Sequence, residues 1–192
     1  MLTAYGHVKI EWGDKVFNLS PSFVNIAKLG TPTEIIETFK DFIGATNLIM
    51  KFSIALNVLK CCSDIEIPER LTGGVKYSER LGKFMIVNPA HGEAMISDVI
   101  TLAEHCFIHG VCGKVPEDEQ PNTGKQIKEF DAYAFMELAR VHLELSLSDA
   151  SQMTMTEFIR MMNIKFPPDK DKPTLKEERD MVAWFYENNE VH

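Results

Sequence analysis

The sequence predicts a mainly α fold, in which a helical bundle carries a small N-terminal β-hairpin. Most of the chain divides into segments with apolar residues at helical spacing, bounded by capping residues, glycines and prolines. One early segment instead alternates apolar and polar residues around a glycine–aspartate pair. Apolar residues make up 45% of the 192 residues and charged residues 25%, which is enough for a core without a metal or disulfides.

The alternating segment, HVKIEWGDKVFNL, is predicted to form the hairpin. Gly13 and Asp14 make a two-residue turn of the kind that requires positive φ. This turn sets the register, so that Val8 pairs with Leu19, Ile10 with Phe17 and Trp12 with Lys15. The apolar members of these pairs share one face, and the hairpin must therefore pack against other elements.

Three helices are predicted after the hairpin. The first begins at the cap Ser20, and the second begins at Thr31, which forms a capping box with Glu34 and ends at Gly44. The third runs from about Thr46 to Cys62 and is apolar around most of its circumference. Its narrow polar strip consists of Ser53, Asn57 and Lys60. Such a helix is typical of the centre of a bundle.

The middle of the chain, residues 63–121, shows loop, strand, helix and linker signals in turn. Residues 63–82 have the breakers of a loop, and KFMIV has the composition of a short strand. An amphipathic helix is expected from Pro89 to Gly110, followed by a polar linker. The side of this helix predicted to face the core consists of Met95, Val99, Leu102, Ala103 and Cys106.

The C-terminal part is predicted to contain three more helices. The first spans about Ile127 to Leu145, and its expected core stripe is Ile127, Phe130, Ala134, Leu138, Val141 and Leu145. The second begins at a capping box of Thr154 and Glu157, and the last begins at Thr174 after a linker at 166–173. We therefore expect an N-terminal hairpin and helical domain at 1–115 and a C-terminal helical segment at 116–192.

Charge and cysteine usage restrict the classes of function. The net charge of −8 disfavours a nucleic-acid partner, because phosphates require a basic surface. No signal peptide and no apolar run long enough to cross a membrane are visible. The four cysteines lack a disulfide spacing, so we expect reduced thiols and a cytoplasmic protein without a membrane partner.

The segment EHCFIHGVC contains residue types that bind zinc, namely His105, Cys106, His109 and Cys112. On a helix, Cys106 lies about 100° from His105, and Gly110 is expected to end the helix before Cys112. We therefore expect two solvated histidines, a core cysteine and no bound metal. No catalytic motif and no cofactor site are predicted elsewhere, since neither a G-x-S-x-G elbow nor a complete P-loop is present.

The segment TMTEFIRMM is the strongest candidate for a protein interface. Its apolar residues cover a wider arc than a single inward stripe requires, and methionine suits adaptable binding surfaces. Part of the arc should pack on the bundle and part should bind a partner. The predicted partner-binding residues are Phe158, Ile159, Met161, Met162 and, in the last helix, Trp184.

Two stretches resemble tail assembly chaperones of long-tailed bacteriophages. They are DASQMTMTEFIRMM and the N-terminal run from GHVKIEWGDKVFNLSPSF into NIAKLGTPTEIIETF. In this resemblance Thr154 and Glu157 match as caps, and Phe158 and Met161 match as the docking face. The resemblance implies a virally encoded protein of the host cytoplasm that binds tape-measure or tail-tube subunits before assembly, without catalysis.

Two other functions remain open at this stage. One is a phage or bacterial regulatory protein that sequesters a host factor, and the other is a small enzyme of unknown class. A chaperone should bind apolar segments broadly, whereas a sequestering protein should bind one folded target tightly. An enzyme should have a deep pocket with convergent polar groups. A homo-oligomer is compatible with each of them.

Overall fold

The computed structural model describes residues 5–87, 95–114 and 128–167, and these ranges form a mainly α fold with an N-terminal β-hairpin, as predicted. The strands are β1 (Val8–Trp12), β2 (Lys15–Leu19), β3 (Gly74–Ser78) and β4 (Lys83–Val87). The α-helices are α1 (Phe23–Ile26), α2 (Pro32–Gly44), α3 (Leu48–Cys62), α4 (Glu69–Thr72), α5 (Ile96–Phe107), α6 (Ala132–Leu143), α7 (Leu147–Gln152) and α8 (Met155–Lys165). A 3₁₀ turn (Ala27–Leu29) extends α1, and a π-helical turn (Ile108–Cys112) extends α5.

The predicted hairpin is confirmed in register. The pairs Val8–Leu19, Ile10–Phe17 and Trp12–Lys15 lie opposite each other in β1 and β2. Gly13 has a φ of 61°, which is the left-handed conformation that the turn requires. One face is buried on the helices, and the Ser20 amide donates to the Cys62 carbonyl at 2.8 Å. The hairpin is thereby joined to the end of α3.

The early helices follow the predicted order with one correction. Thr31 and Glu34 form the expected capping box, in which the Thr31 amide donates to Glu34 Oε2 at 2.7 Å. The first helix does not begin after Ser20. Ser20 and Pro21 stay extended because Ser20 pairs with α3, so α1 begins only at Phe23.

Helix α3 occupies the centre of the fold, as predicted. It packs against α1, α2, α5 and both strands of the second hairpin, while its polar strip of Ser53, Asn57 and Lys60 is exposed. Asn47 caps its first turn by accepting hydrogen bonds from Ile49 and Met50. A helix that is apolar on almost every side thus has neighbours on almost every side.

The prediction of a loop at residues 63–82 is wrong. This range contains α4 and β3, and β3 pairs with β4 to form a second antiparallel hairpin. Only Val75 and Ile86 of the two strands pack against the core. Tyr77 and Phe84 lie on the same face but nearer the turn, where both are exposed and their rings meet edge-to-face with centroids 5.3 Å apart. With one buried pair, the alternation that reveals a strand is too weak to see in the sequence.

Helix α5 buries Val99, Ala103 and Cys106 as predicted, but its ends differ from the prediction. Its expected start at residues 89–94 lies outside the described ranges, and Met95 caps the helix as an exposed residue. Gly110 does not end the helix, because the chain continues as the π-helical turn to Cys112. Gly110 instead lets this turn approach α1 closely: a Cβ there would lie 2.8 Å from Ile26 and 2.9 Å from the Pro21 carbonyl oxygen.

The predicted core face of α6 is wrong. Ala134, Leu138 and Val141 are exposed, whereas Met136 and Ala139 are buried. The helix begins only at Ala132, after the cap Asp131, so the buried Phe130 is not in helical phase with Ala134. Phe130 lies before the helix and is held by a backbone hydrogen bond, in which its amide donates to the Pro32 carbonyl at 2.9 Å.

One hydrophobic core connects the described parts of the chain. An aromatic cluster joins Phe23 of α1 to Phe130, Phe135 of α6 and Phe158 of α8, with ring centroids 5.2–6.5 Å apart. The core is therefore continuous across the boundary predicted near residue 115. Among the described helices, none is both long enough and apolar enough to cross a membrane.

Candidate protein-binding surface

The start of α8 is fixed by buried polar contacts. The hydroxyl of Thr154, the N-cap, accepts a hydrogen bond from the Glu157 amide at 3.2 Å and donates to the Tyr5 carbonyl at 2.8 Å. The backbone of Thr154 forms a β-bridge with Ser22, beside a bond from the Phe23 amide to the Met153 carbonyl. The predicted cap is thus also the point at which α8 joins the N-terminal segment.

His109 is buried, so the prediction of a solvated histidine is wrong. Its Nδ1 lies 3.0 Å from Oγ1 of Thr156, which is itself fully buried and accepts a hydrogen bond from the Lys114 amide at 2.8 Å. Burial, with a smaller contribution from His105, lowers the pKa of His109 to about 4. The ring is therefore neutral at pH 7 and serves as a hydrogen-bonding group between the π-helical turn and α8.

His105 is half-buried and also has a structural contact. Its Nε2 lies 3.1 Å from the Gly6 carbonyl oxygen, and its ring centroid is 4.4 Å from that of His109. Burial lowers the pKa of His105 as well. Both histidines lie on the side of α5 that the sequence predicted to be solvated, but the N-terminal segment and α8 cover that side. No local pattern could have revealed this, because the covering residues are distant in sequence.

Two of the four cysteines, Cys62 and Cys106, are buried packing residues, whereas Cys61 is half-buried and Cys112 is exposed. Cys106 is buried as predicted, and the Cys62 thiol forms a hydrogen bond with it; this bond and burial raise the pKa of Cys62 well above its usual value. Burial also raises the pKa of the half-buried Cys61. A thiol that stays protonated is a poor nucleophile and a poor metal ligand. Within the three described ranges, no group of three or more His, Cys, Asp or Glu side chains could hold a metal ion.

The predicted partner-binding residues of α8 face inward. Phe158 belongs to the aromatic core and is not part of an accessible surface. Ile159, Met161 and Met162 are half-buried and pack against that core. Trp184 lies outside the described residues. A role of the three half-buried residues in binding stays a prediction.

The structure exposes a different apolar surface, on α6. Ala134, Leu138 and Val141 follow each other at helical spacing on its outer side, and the side chains of Leu138 and Val141 are 42% and 69% exposed. Phe166, just after α8, is 51% exposed and lies against His142, one turn from Leu138, with ring centroids 5.7 Å apart. We call Ala134, Leu138, Val141 and Phe166 the α6 surface.

The α6 surface lies where α6 and α8 end together. Lys165 at the end of α8 forms an ion pair with Glu144 at 2.9 Å, directly after the end of α6. The sequence contained a signal for this surface, because the spacing of Ala134, Leu138 and Val141 was recognised as apolar. The sequence analysis predicted that this stripe would face the core. The side of α6 that faces the core is a second apolar side, which contains Met136 and Ala139.

The family match includes both helices of this region. No curated protein and no solved structure matches the chain significantly. The sequence profile of the Family of unknown function (DUF6246) matches residues 46–181, a range that begins just before α3 and extends past α8. This match covers more than half of the chain, and the chain therefore belongs to the Family of unknown function (DUF6246).

Proposed function

We propose that this chain is a non-enzymatic protein-binding protein that holds an apolar segment of its partner on the α6 surface. The observation that supports this most is the exposure of Leu138 and Val141 on a helix whose opposite side already contributes to a complete core. Folding does not need this second apolar side. An apolar stripe that folding does not use suits recognition of a helix or an extended apolar segment.

The size of the surface suits reversible binding. Burying the exposed parts of Leu138, Val141 and Phe166 would contribute on the order of 4 kcal/mol before the cost of association is subtracted. Such a gain favours weak capture and release over permanent assembly. A chaperone needs this behaviour, because it must release its client into the final structure.

On the sequence resemblance, we propose that the clients are tape-measure or tail-tube subunits of a long-tailed bacteriophage, and that the protein acts in the host cytoplasm. The net charge of −8 supports this role, since it would keep a protein with an apolar surface soluble. A regulatory protein that sequesters one host factor is the alternative. It would bind one folded target tightly rather than an apolar segment reversibly.

The test is co-purification with the tail-tube and tape-measure proteins encoded in the same genome. In the double variant Leu138→Gln, Val141→Gln, the apolar stripe is removed while helix propensity is kept, and we expect capture to fall at least tenfold. The matched control is Tyr133→Gln. Tyr133 is 67% exposed on α6 and lies beside the stripe, about 140° around the helix from Leu138 and 80° from Val141.

Three outcomes would contradict the proposal. If the folded double variant captures the phage proteins as well as the parent does, the α6 surface is not the binding site. If Phe84→Gln abolishes capture instead, the exposed aromatic pair of β3 and β4 is the binding site. If the parent captures neither phage protein and binds one folded host protein, the chaperone function is wrong and sequestration is supported.

A further inference from the structure

The β3–β4 hairpin carries a second exposed apolar surface, at its turn. At the base of the hairpin Val75 and Ile86 pack against the core, where the hairpin lies on α3. The same face continues to Tyr77 and Phe84, which are 56% and 58% exposed, and Leu81 in the turn is 51% exposed. We call Tyr77, Leu81 and Phe84 the hairpin tip. A helix therefore covers the base of this sheet face, and the tip has space for another helix.

The α6 surface has the size of such a helix. Ala134, Leu138 and Val141 form a stripe about 10 Å long, at 1.5 Å per helical residue. The rings of Tyr77 and Phe84, whose centroids are 5.3 Å apart, fit within that length. An apolar helix stripe that packs on an apolar sheet face removes both from water.

The two surfaces do not cover each other within one chain. Helix α6 packs on α1, α7 and α8, whereas the β3–β4 hairpin packs on α3. The hairpin tip and the α6 surface are both exposed in the same folded chain. A contact between them therefore joins two copies.

The charges around the two surfaces are opposite. Residues 74–87 carry three basic side chains and one acidic side chain, a formal charge of +2 in a chain of −8, whereas residues 128–149 carry two basic and five acidic side chains, a formal charge of −3. Lys76 is paired with Glu69 and Glu137 with Arg140, so the net charges of the two regions, more than one ion pair, orient the copies. Opposite charges favour a hairpin facing α6 over two α6 surfaces facing each other.

From these observations we infer that the hairpin tip of one copy binds the α6 surface of a second copy, with the rings of Tyr77 and Phe84 against Leu138 and Val141. Three side chains from each copy bury less than the roughly 1,200 Å² of a stable interface, so the association should be weak and should depend on concentration. A client must then compete with a second copy for the α6 surface. This competition rests on the proposed function, whereas the contact between copies does not.

The test is sedimentation velocity of the full chain over a concentration series, in which the average mass of the parent should rise with concentration. Two double variants each remove one surface. Tyr77→Thr, Phe84→Thr removes the rings and keeps strand propensity, and Leu138→Gln, Val141→Gln removes the stripe. Each variant alone should stay monomeric at concentrations at which the parent associates. Their equimolar mixture should associate, because an intact hairpin tip of one variant meets an intact α6 surface of the other.

The charge contribution is tested with Lys83→Glu, which should raise the dissociation constant of the parent by about threefold. Lys15→Glu, at the turn of the first hairpin, changes the net charge equally and controls for general repulsion between copies. An effect of Lys15→Glu as large as that of Lys83→Glu would contradict the predicted orientation.

Three further results would overturn the inference. They are a parent that stays monomeric at every concentration, a double variant that associates as the parent does, and a mixture of the two double variants that stays monomeric. Circular dichroism checks that each variant is folded, and Phe84→Thr alone replaces the strand variant if that variant does not fold. Since no client is present, failure here is separate from failure of client capture.

Discussion

His109 is held between the N-terminal segment and α8, and it brings together parts of the chain that are far apart in sequence. Its ring pairs with Thr156, and its side chain packs so closely on Gly6 that a Cβ at Gly6 would overlap it. Two members of the histidine and cysteine pattern, His109 and Cys106, are therefore buried packing residues here.

The stability of the protein should depend on pH through His109. Its pKa is about 4 in the folded state and 6.5 in the unfolded chain, so the unfolded chain binds the proton first as the pH falls. This contribution to stability is complete above pH 6.5 and is lost as the pH falls toward 4. The free energy of unfolding should therefore drop by about 2 kcal/mol between pH 7 and pH 5, measured by urea denaturation.

The matched variant is His109→Gln, which keeps a side chain able to pair with Thr156 but cannot titrate. In this variant the free energy of unfolding should change little between pH 7 and pH 5, and the change that is left should come from His105. The carboxylates whose pKa is lowered, such as Glu34 and Asp64, lose their contributions only at lower pH. If the free energy of unfolding of His109→Gln falls with pH as steeply as that of the parent, the buried histidine does not control stability in acid.

The π-helical turn depends on Gly110. A Cβ at this position would lie 2.8 Å from Ile26 and 2.9 Å from the Pro21 carbonyl oxygen, and the backbone atom cannot move aside cheaply. Gly110→Ala should therefore lower the free energy of unfolding by about 1–3 kcal/mol, as overpacked cores do. Chemical denaturation at pH 7 measures this directly.

Gly44 provides the control for this substitution. It is the last residue of α2, and a Cβ there would meet no atom within 4 Å. Gly44→Ala should raise stability by about 0.5–1 kcal/mol, because alanine loses less conformational freedom in a helix. Equal effects of the two substitutions would mean that the close approach to α1 does not matter.

Elements encoded by neighbouring residues could be predicted from the sequence. The first hairpin was predicted in register because a two-residue turn and the alternation around it are local signals. The capping box of α2 was predicted because its two residues are only three apart. In both cases the chemistry that sets the structure lies within a few residues of the element.

Contacts between distant residues could not be predicted in the same way. The phase of α6 was predicted wrongly because Phe130 was taken as helical, whereas α6 begins only at Ala132 and Phe130 is bonded to Pro32. The covered histidines depend on Tyr5, Gly6 and Thr156, which lie far from them in sequence. The exposure of the apolar stripe on α6 depends on the same distant contacts, so it could not be predicted from local spacing either.

At the scale of the whole molecule, the N-terminal and C-terminal parts share one core. Phe23 of α1 contacts Phe130, Phe135 and Phe158, all of which follow the boundary predicted near residue 115. The backbone of Thr154 also pairs with Ser22. Neither part could keep these aromatic side chains from water without the other, so we expect both to unfold together.

Phe23→Ala tests this cooperativity. Phe23 is fully buried, so its loss should cost about 3–5 kcal/mol, a large share of the stability of a small protein. Hydrogen exchange measured across a urea series should show the same decrease for peptides from β2 and from α8, because both depend on one core. The control Phe84→Ala removes an exposed ring and should cost less than about 1 kcal/mol. A decrease confined to β2 would mean that two independent units unfold separately, despite the aromatic contacts between them.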